Sequence, residues 1–367
     1  MVDCRTISTP TAIIGGVDVR SSNPIGLAGI SFIEFASAEP DELHRVFTEL
    51  GFSRVMRRQD RAVELYRQGE IVFLLNHAQT GHAAAFRAAH GPSVVSMGWR
   101  TTLTPTAARD IAVSRGARAG DGDHLWKGEP MAALVGVGDS LVYLTPAQDD
   151  PFTAMGFIAI DGPDLVADKG LRAIDHLALN VARGTLHQWS SFHEEVFGFT
   201  QVRYFDIRGA TTGLVSYALR SPCGCFYMPV NEGTEARSQV NEYLERYRGP
   251  GVQHVAFLTD DLLRSLRALN GAARLRFLDI EPGYYDDVFL RVPNVTEDHA
   301  EIARRNVLAD GDADGYLLQI LSHDVIGPIF FELIQRRNHT AFGEGNFGAL
   351  FRSIEREQER RGYLRPA

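Results

Sequence analysis

The chain is poor in cysteine, with only Cys4, Cys223 and Cys225 among 367 residues. An odd, sparse set offers no disulfide framework and suits a reducing compartment. Cys223 and Cys225 flank a single glycine, too close for a relaxed disulfide and without a second pair for zinc, so neither is given a role. No stretch approaches the roughly 20 consecutive apolar residues that a membrane span needs. The N-terminal "MVDCRTISTPTAIIGG" lacks a basic start followed by an apolar block, so no secretion signal is expected and the expected location is the cytoplasm. Positive charge is also short: 37 Lys and Arg stand against 46 Asp and Glu, a net charge of -9. That argues against nucleic acid and against an anionic membrane surface as partners.

What is present suits a globular protein, with 44% hydrophobic and 23% charged residues, and the length suits two domains. The chain also repeats itself. "GPSVVSMGW" at 91–99 resembles "GPGVQHVAF" at 249–257, and "GLAGISFIEF" at 26–35 resembles "GLRAIDHLAL" at 170–179. Each of the latter pair is followed by a helix-like segment ending in "LGF" (50–52) or "FGF" (197–199). The expected fold is therefore α+β, with two tandem βαβββ-repeat domains whose curved, mostly antiparallel sheets form half-barrels. The expected boundaries are an N-terminal arm at 1–22, a first domain at 23–152, a linker rich in Asp, Gly and Pro at 153–170, and a second domain at 171–367. Within the repeat, Phe32 takes the slot of His176 and Ser96 that of His254. The first half is apolar or neutral where the second carries imidazoles, so the first is expected as a metal-free structural partner and the second as the seat of chemistry.

Side chains alternate across a strand. In "AIDHLALNV" His176 shares a face with Ile174, Ala178 and Asn180, while Asp175, Leu177, Leu179 and Val181 should pack on a helix. In "GVQHVAFL" His254 lies with Val252, Ala256 and Leu258, and in "PIFFELIQR" Glu332 lies with Phe330 and Ile334. A buried, unpaired Glu332 would have to neutralise or find a cation. Arg336 or Arg337 could supply one, and each of the three residues could equally be a separately hydrogen-bonded core group. Brought together, two imidazoles and one carboxylate would make the facial triad of non-haem Fe(II) oxygenases, with coordination positions left open.

Here the sequence resembles a known family. "IDHLALNV", "MPVNE", "SQVNEYLERYRGPGVQHVAFLTDD", "GYLLQIL", "GPIFFELIQRR" and "FGEGNFGALFRSIEREQERRG" look like 4-hydroxyphenylpyruvate dioxygenase, of the vicinal oxygen chelate superfamily. "NPIGLAGISFIEFAS", "LYRQGEI" and "HGPSV" extend the likeness into the first half, so that it spans about residues 23 to 364. The resemblance implies that His176, His254 and Glu332 hold Fe(II), and that the substrates are an aryl 2-oxo acid and O2. No separate 2-oxoglutarate is implied, because the substrate brings its own 2-oxo acid. The implied reaction is decarboxylation, ring hydroxylation and side-chain migration to homogentisate. It further implies a neutral polar network of Ser216, Asn231, Gln239, Gln253 and Gln319, with Leu321, Phe331, Phe342 and Asn346 also around the substrate. It implies a homo-oligomer and a C-terminal lid helix. In "FGALFRSIEREQERRG" Phe347, Leu350, Phe351 and Ile354 form one apolar stripe, as in any docked terminal helix, and Gly343 and Gly345 flank the loop before it.

Three departures bear on the substrate. Leu321 stands where the family usually has Phe, which removes an aromatic wall and about 0.5–1.5 kcal/mol of stacking. Ala341 replaces a usual glycine, and "MPVNEG" replaces "LPLNE". Hydroxymandelate synthase, which resembles this family and attacks the benzylic carbon of the same substrate, tends to carry an apolar residue at the Asn231 position, so the asparagine favours ring attack. A dioxygenase acting on another aryl- or alkyl-pyruvate is the related alternative. A drug-sequestering module of the same fold type is the non-enzymatic one, and it has no need of the complete His, His, Glu set.

Overall fold

The structure, a computed structural model, describes residues 22–364. All but the last residue of the expected N-terminal arm lies outside them. The first half runs β1 (Leu27–Ala36), α1 (Pro40–Glu49), β2 (Ser53–Arg58), β3 (Val63–Gln68), β4 (Ile71–Asn76), α2 (His82–His90), β5 (Ser93–Thr101) and α3 (Pro105–Ser114). It continues through a small ribbon of β6 (Leu125–Trp126) and β7 (Glu129–Pro130) to β8 (Ala133–Val135), β9 (Leu141–Pro146) and β10 (Phe157–Asp164). The second half has β11 (Leu171–Val181), α4 (Leu186–Phe197), β12 (Thr200–Arg208), β13 (Gly213–Arg220), β14 (Tyr227–Gly233), α5 (Gln239–Tyr247) and β15 (Gly251–Thr259). Three short helices follow, α6 (Leu262–Ala268), α7 (Tyr284–Arg291) and α8 (His299–Arg304). Strands β16 (Leu308–Gly311), β17 (Tyr316–Ile326) and β18 (Ile329–Arg337) and the terminal α9 (Phe347–Arg360) complete the chain. No helix among the described residues is long and apolar enough to cross a membrane.

Each half builds one eight-stranded sheet, in the orders β10-β2-β3-β4-β1-β5-β9-β8 and β12-β13-β14-β11-β15-β18-β17-β16. Both have the same pattern of direction. β1/β4 and β5/β9 pair parallel in one, β11/β14 and β15/β18 in the other, and the remaining neighbours are antiparallel. The expected architecture is thus present, with one difference. Residues 157–164 are not a free connector: β10 pairs antiparallel with β2 and extends the first sheet.

Strand alternation divides each sheet into two faces. Val252, Val255 and Phe257 of β15 and Phe331 and Leu333 of β18 enter a core shared by both halves. Phe257 lies 5.9 Å from Phe73, 6.2 Å from Phe52 and 5.2 Å from Phe331. Trp99 meets Phe197 edge-on at 4.9 Å. Buried aromatics from both halves therefore weld the two sheets together, leaving the opposite face of each sheet for other uses.

Register shows what became of the repeat. In the second sheet His176 and Glu332 both lie beside Ala256, and in the first Phe32 and Tyr143 both lie beside Gly98. Phe32 leans over Gly98, where an added Cβ would fall 2.3 Å from its ring. Glu34 is opposite Ser96 just as Ala178 is opposite His254. The imidazole slots hold Phe32 and Ser96 as expected, but a charged residue stands beside them. Glu34 is 2% exposed and accepts hydrogen bonds from Ser96, from Asn76 at 2.8 Å and from His124 at 2.9 Å. Arg58 Nη1 stands 3.3 Å from the far side of the His124 ring. The first half thus fills its pocket with a self-satisfied polar cluster, as a buried carboxylate requires.

Burial would raise the Glu34 carboxyl, but His124, then the donors Ser96 and Asn76, bring it down to about 2. A carboxylate depressed by folding stabilises above its unfolded value and loses that contribution as pH falls through the folded one. Glu34 should therefore contribute stability at neutral pH that fades from about pH 4.5 toward 2, on the order of 3 kcal/mol at ~1.4 kcal/mol per pH unit. Glu34→Gln should melt lower at pH 7 and show a flatter acid limb. Melting curves from pH 2 to 7 check this, and an unchanged limb would remove the carboxylate from the account.

Candidate metal centre

Three adjacent strands, β11, β15 and β18, place His176, His254 and Glu332 around the small side chain of Ala256. His176 and Glu332 flank it on either side, and His254 sits one pleat away along the central strand. All three side chains face the interior of the second half-barrel. One donor atom from each can be chosen so that all lie within 4.8 Å of one another. His176 Nε2 is 3.1 Å from His254 Nε2 and 3.3 Å from Glu332 Oε2, and His254 Nε2 is 3.6 Å from that oxygen.

The other ring nitrogen of each histidine is already engaged. Asp175 Oδ2 accepts from His176 Nδ1 at 2.8 Å, and Gln253 Oε1 accepts from His254 Nδ1 at 3.1 Å. Both rings thus have Nδ1 engaged and turn Nε2 toward the same point. Two facing lone pairs repel unless a proton or a cation lies between them. Burial would push His176 down, but Glu332 and Asp175 outweigh it and hold the ring up at about 9. Burial, then the neighbouring His176, pushes His254 well below its ordinary value. The cluster thus favours one positive charge at its centre. Two neutral imidazoles and a carboxylate suit a divalent transition metal, with positions left for further ligands.

Asp175 differs from the expectation drawn from simple alternation. A register shift between Ile174 and His176 makes it the extra residue of a β-bulge. The bulge turns its carboxylate back to its neighbour instead of toward a helix. Arg336 holds that carboxylate at 2.7 and 2.8 Å, and burial, outweighed by Arg336 and His176, leaves Asp175 far below the usual carboxylate range. Alternation with no break hides this pair. The signal available was an acid directly before a histidine in an otherwise apolar strand.

A cavity of about 700 Å³, open mouth included, lies over the cluster. Ser216, Asn231, Gln239, Gln253, Gln319, Leu321 and Phe342 line it, as do the three donors. Ser216 and Asn231 are partners across β13/β14, and Asn231 donates to Asn180 at 3.3 Å. Gln319 is 2% exposed, and its Oε1 has no partner among the described residues. Two expected positions lie elsewhere. Phe331 points into the shared core against Phe257, and it is Phe330 that faces the cavity, stacked on the His254 ring at 4.7 Å. Asn346 is fully buried beneath the loop before α9, where its Oδ1 accepts from Tyr284 at 2.7 Å.

The apolar stripe of α9 closes the cavity from above, since Phe347, Leu350, Phe351 and Ile354 all line it. Sequence reading missed what fastens the helix. Glu355 is 5% exposed and accepts from the backbone N–H groups of Ala210, Thr211 and Thr212 at 2.9, 3.0 and 2.8 Å, and from the Thr212 hydroxyl at 3.0 Å. The loop before α9 brings Phe342 to 5.8 Å from His176 and 5.2 Å from Tyr227. Gly343 has φ +82°, and a Cβ there would meet the Gln319 amide at 2.7 Å. Both a left-handed turn and a close approach therefore need glycine at this place. Cys223 has a free thiol.

Comparison with known proteins agrees with this geometry. Residues 21–160 match the family described as "Hydroxyphenylpyruvate dioxygenase, HPPD, N-terminal", and residues 173–320 match the "Glyoxalase/Bleomycin resistance protein/Dioxygenase superfamily". Protein MelA of Shewanella colwelliana is 48% identical over 345 residues, 93% of this chain and 99% of that protein. A 4-hydroxyphenylpyruvate dioxygenase of Legionella pneumophila is 39% identical over 350 residues, 95% and 99% of the two chains. A mutant of 4-hydroxymandelate synthase from Streptomyces coelicolor superposes with a TM-score of 0.78 at 27% identity, covering 90% of this chain and 98% of that one.

If the converging nitrogens hold a metal, His254→Ala should purify without stoichiometric metal while keeping its fold. Elemental analysis beside circular dichroism checks this. An alanine variant that retains one metal per chain would remove His254 from the donor set.

Proposed function

The chain belongs to the hydroxyphenylpyruvate dioxygenase family, and from that premise we propose that it is an Fe(II) dioxygenase converting 4-hydroxyphenylpyruvate and O2 to homogentisate and CO2. His176, His254 and Glu332 would hold the iron. One observation carries this reading: the donor set opens into a cavity whose wall, among the described residues, has no lysine or arginine. A 2-oxo acid entering there finds no side-chain countercharge. A divalent cation beside one carboxylate keeps one net positive charge, which matches the single carboxylate of the substrate. When bound, iron would supply the redox chemistry that activates oxygen.

The chain's own contribution is placement. Phe330, Phe342 and Phe347 give an aryl ring apolar walls. Ser216, Asn231, Gln239, Gln253 and Gln319 offer neutral donors and acceptors for a phenol. None of these five is a strong base that would compete for protons near the metal. The unpartnered Gln319 Oε1 suits an acceptor waiting for a substrate hydroxyl. The α9 stripe excludes water from the reacting end, and orientation in a dry site raises the rate of an otherwise improbable encounter. Asn231 at the cavity wall supports ring attack over benzylic attack. The first half would serve as a metal-free structural partner, and assembly as a homo-oligomer belongs to the same proposal.

Leu321 is the specific reason to consider another aryl- or alkyl-pyruvate. It lies in the cavity wall with Leu278, Leu308 and Ala349 behind it. Oxygen uptake by Fe(II)-loaded protein, with NMR of the product, tests the proposal. Homogentisate from 4-hydroxyphenylpyruvate is expected; hydroxymandelate would reverse the regiochemistry, and no uptake with any aryl- or alkyl-pyruvate would end the dioxygenase reading. Leu321→Phe should keep its metal and shift preference toward aromatic substrates by about two- to tenfold, from ~0.5–1.5 kcal/mol of stacking. Competition between aryl- and alkyl-pyruvates measures that shift.

A further inference from the structure

Arg336 is nearly buried, with a side chain 7% exposed, and it faces four partners at once. Its Nε and Nη2 fork onto the two oxygens of Asp175, at 2.7 and 2.8 Å. Its Nη1 donates to the carbonyls of His339 at 3.3 Å and Ala341 at 2.5 Å, which lead directly into Phe342. Its guanidinium also lies 5.8 Å from the Phe342 ring, and that ring is 5.8 Å from His176. Asp175 in turn fixes the His176 ring through Nδ1. Guanidinium, carboxylate, imidazole and phenyl thus form a closed circuit.

We propose that Arg336 is a positioning residue that couples the aim of the His176 ring to the seating of the Phe342 loop, so that metal retention and closure of the aromatic wall depend on one another. This rests on His176 being a metal ligand. A simple ion pair would need only the fork onto Asp175. The two carbonyl bonds have no electrostatic necessity there, and they are what join the loop to the carboxylate. A lysine could face Asp175 as a point charge but could not fork onto it and hold both carbonyls.

The test uses Co(II), whose visible spectrum reports ligand geometry. Wild type, Arg336→Lys and the double variant Asp175→Asn/Arg336→Gln are compared. The double variant leaves no lone charge buried and stands in should Arg336→Lys fail to fold. Each is titrated with Co(II), its spectrum recorded, and amide hydrogen exchange of residues 338–346 followed with and without the metal. In wild type, Co(II) should protect that segment. In the variants Co(II) should bind about 10–100-fold more weakly, as loss of an outer partner of a ligating histidine does, with a changed spectrum and no metal-dependent protection. Wild-type affinity and spectrum, or retained metal-dependent protection, in a folded variant would overturn the coupling alone. A wild type that binds no Co(II), or a His254→Ala variant that binds it undiminished, would overturn the ligand assignment and the coupling with it.

Discussion

Two imidazole lone pairs and one carboxylate converge in a buried place where none of them is at ease alone. The His176 and His254 Nε2 atoms stand 3.1 Å apart with the opposite ring nitrogens engaged. Three neighbouring strands, a bulge-broken β11/β15 ladder and a shared aromatic core hold that convergence in place. Perturbed groups converging beside a cavity are the arrangement a metal site has. The cavity, its neutral polar wall and the α9 cover are arranged around that point.

The first half shows the same scaffold with the tension removed. Phe32, Ser96 and Tyr143 stand in the three donor positions, and Glu34, one pleat away, finds His124, Ser96 and Asn76 within reach. One backbone plan therefore supports two solutions. In one the polar groups satisfy each other, and in the other they are left facing an open cavity. Phe257, Phe73 and Trp99 bind the two solutions into one core, so the quiet half stiffens the sheet that carries the reactive one.

Much of this could be read from the sequence, because strand alternation and an internal repeat are periodic signals. They placed His176, His254 and Glu332 on inward faces and assigned Phe32 and Ser96 to the matching slots. They also placed the α9 stripe correctly. What could not be read depends on breaks in the period or on pairing across long separations. The bulge at Asp175 changes the facing of one residue and creates a partner for Arg336, 161 positions away. Phe331 and Phe330 differ by one step of alternation, and the step decides between core and cavity. Asn346 carries no periodic signal at all. Residues 157–164 read as a connector by composition, yet pairing with β2 makes them a strand.

The most direct measurement is anomalous X-ray diffraction at the iron edge from crystals of the Fe(II)-loaded protein. The account predicts one strong peak per chain within coordination distance of His176 Nε2, His254 Nε2 and a Glu332 carboxylate oxygen. A peak bound elsewhere, or density showing these three groups hydrogen-bonded to one another with iron present in solution, would contradict it.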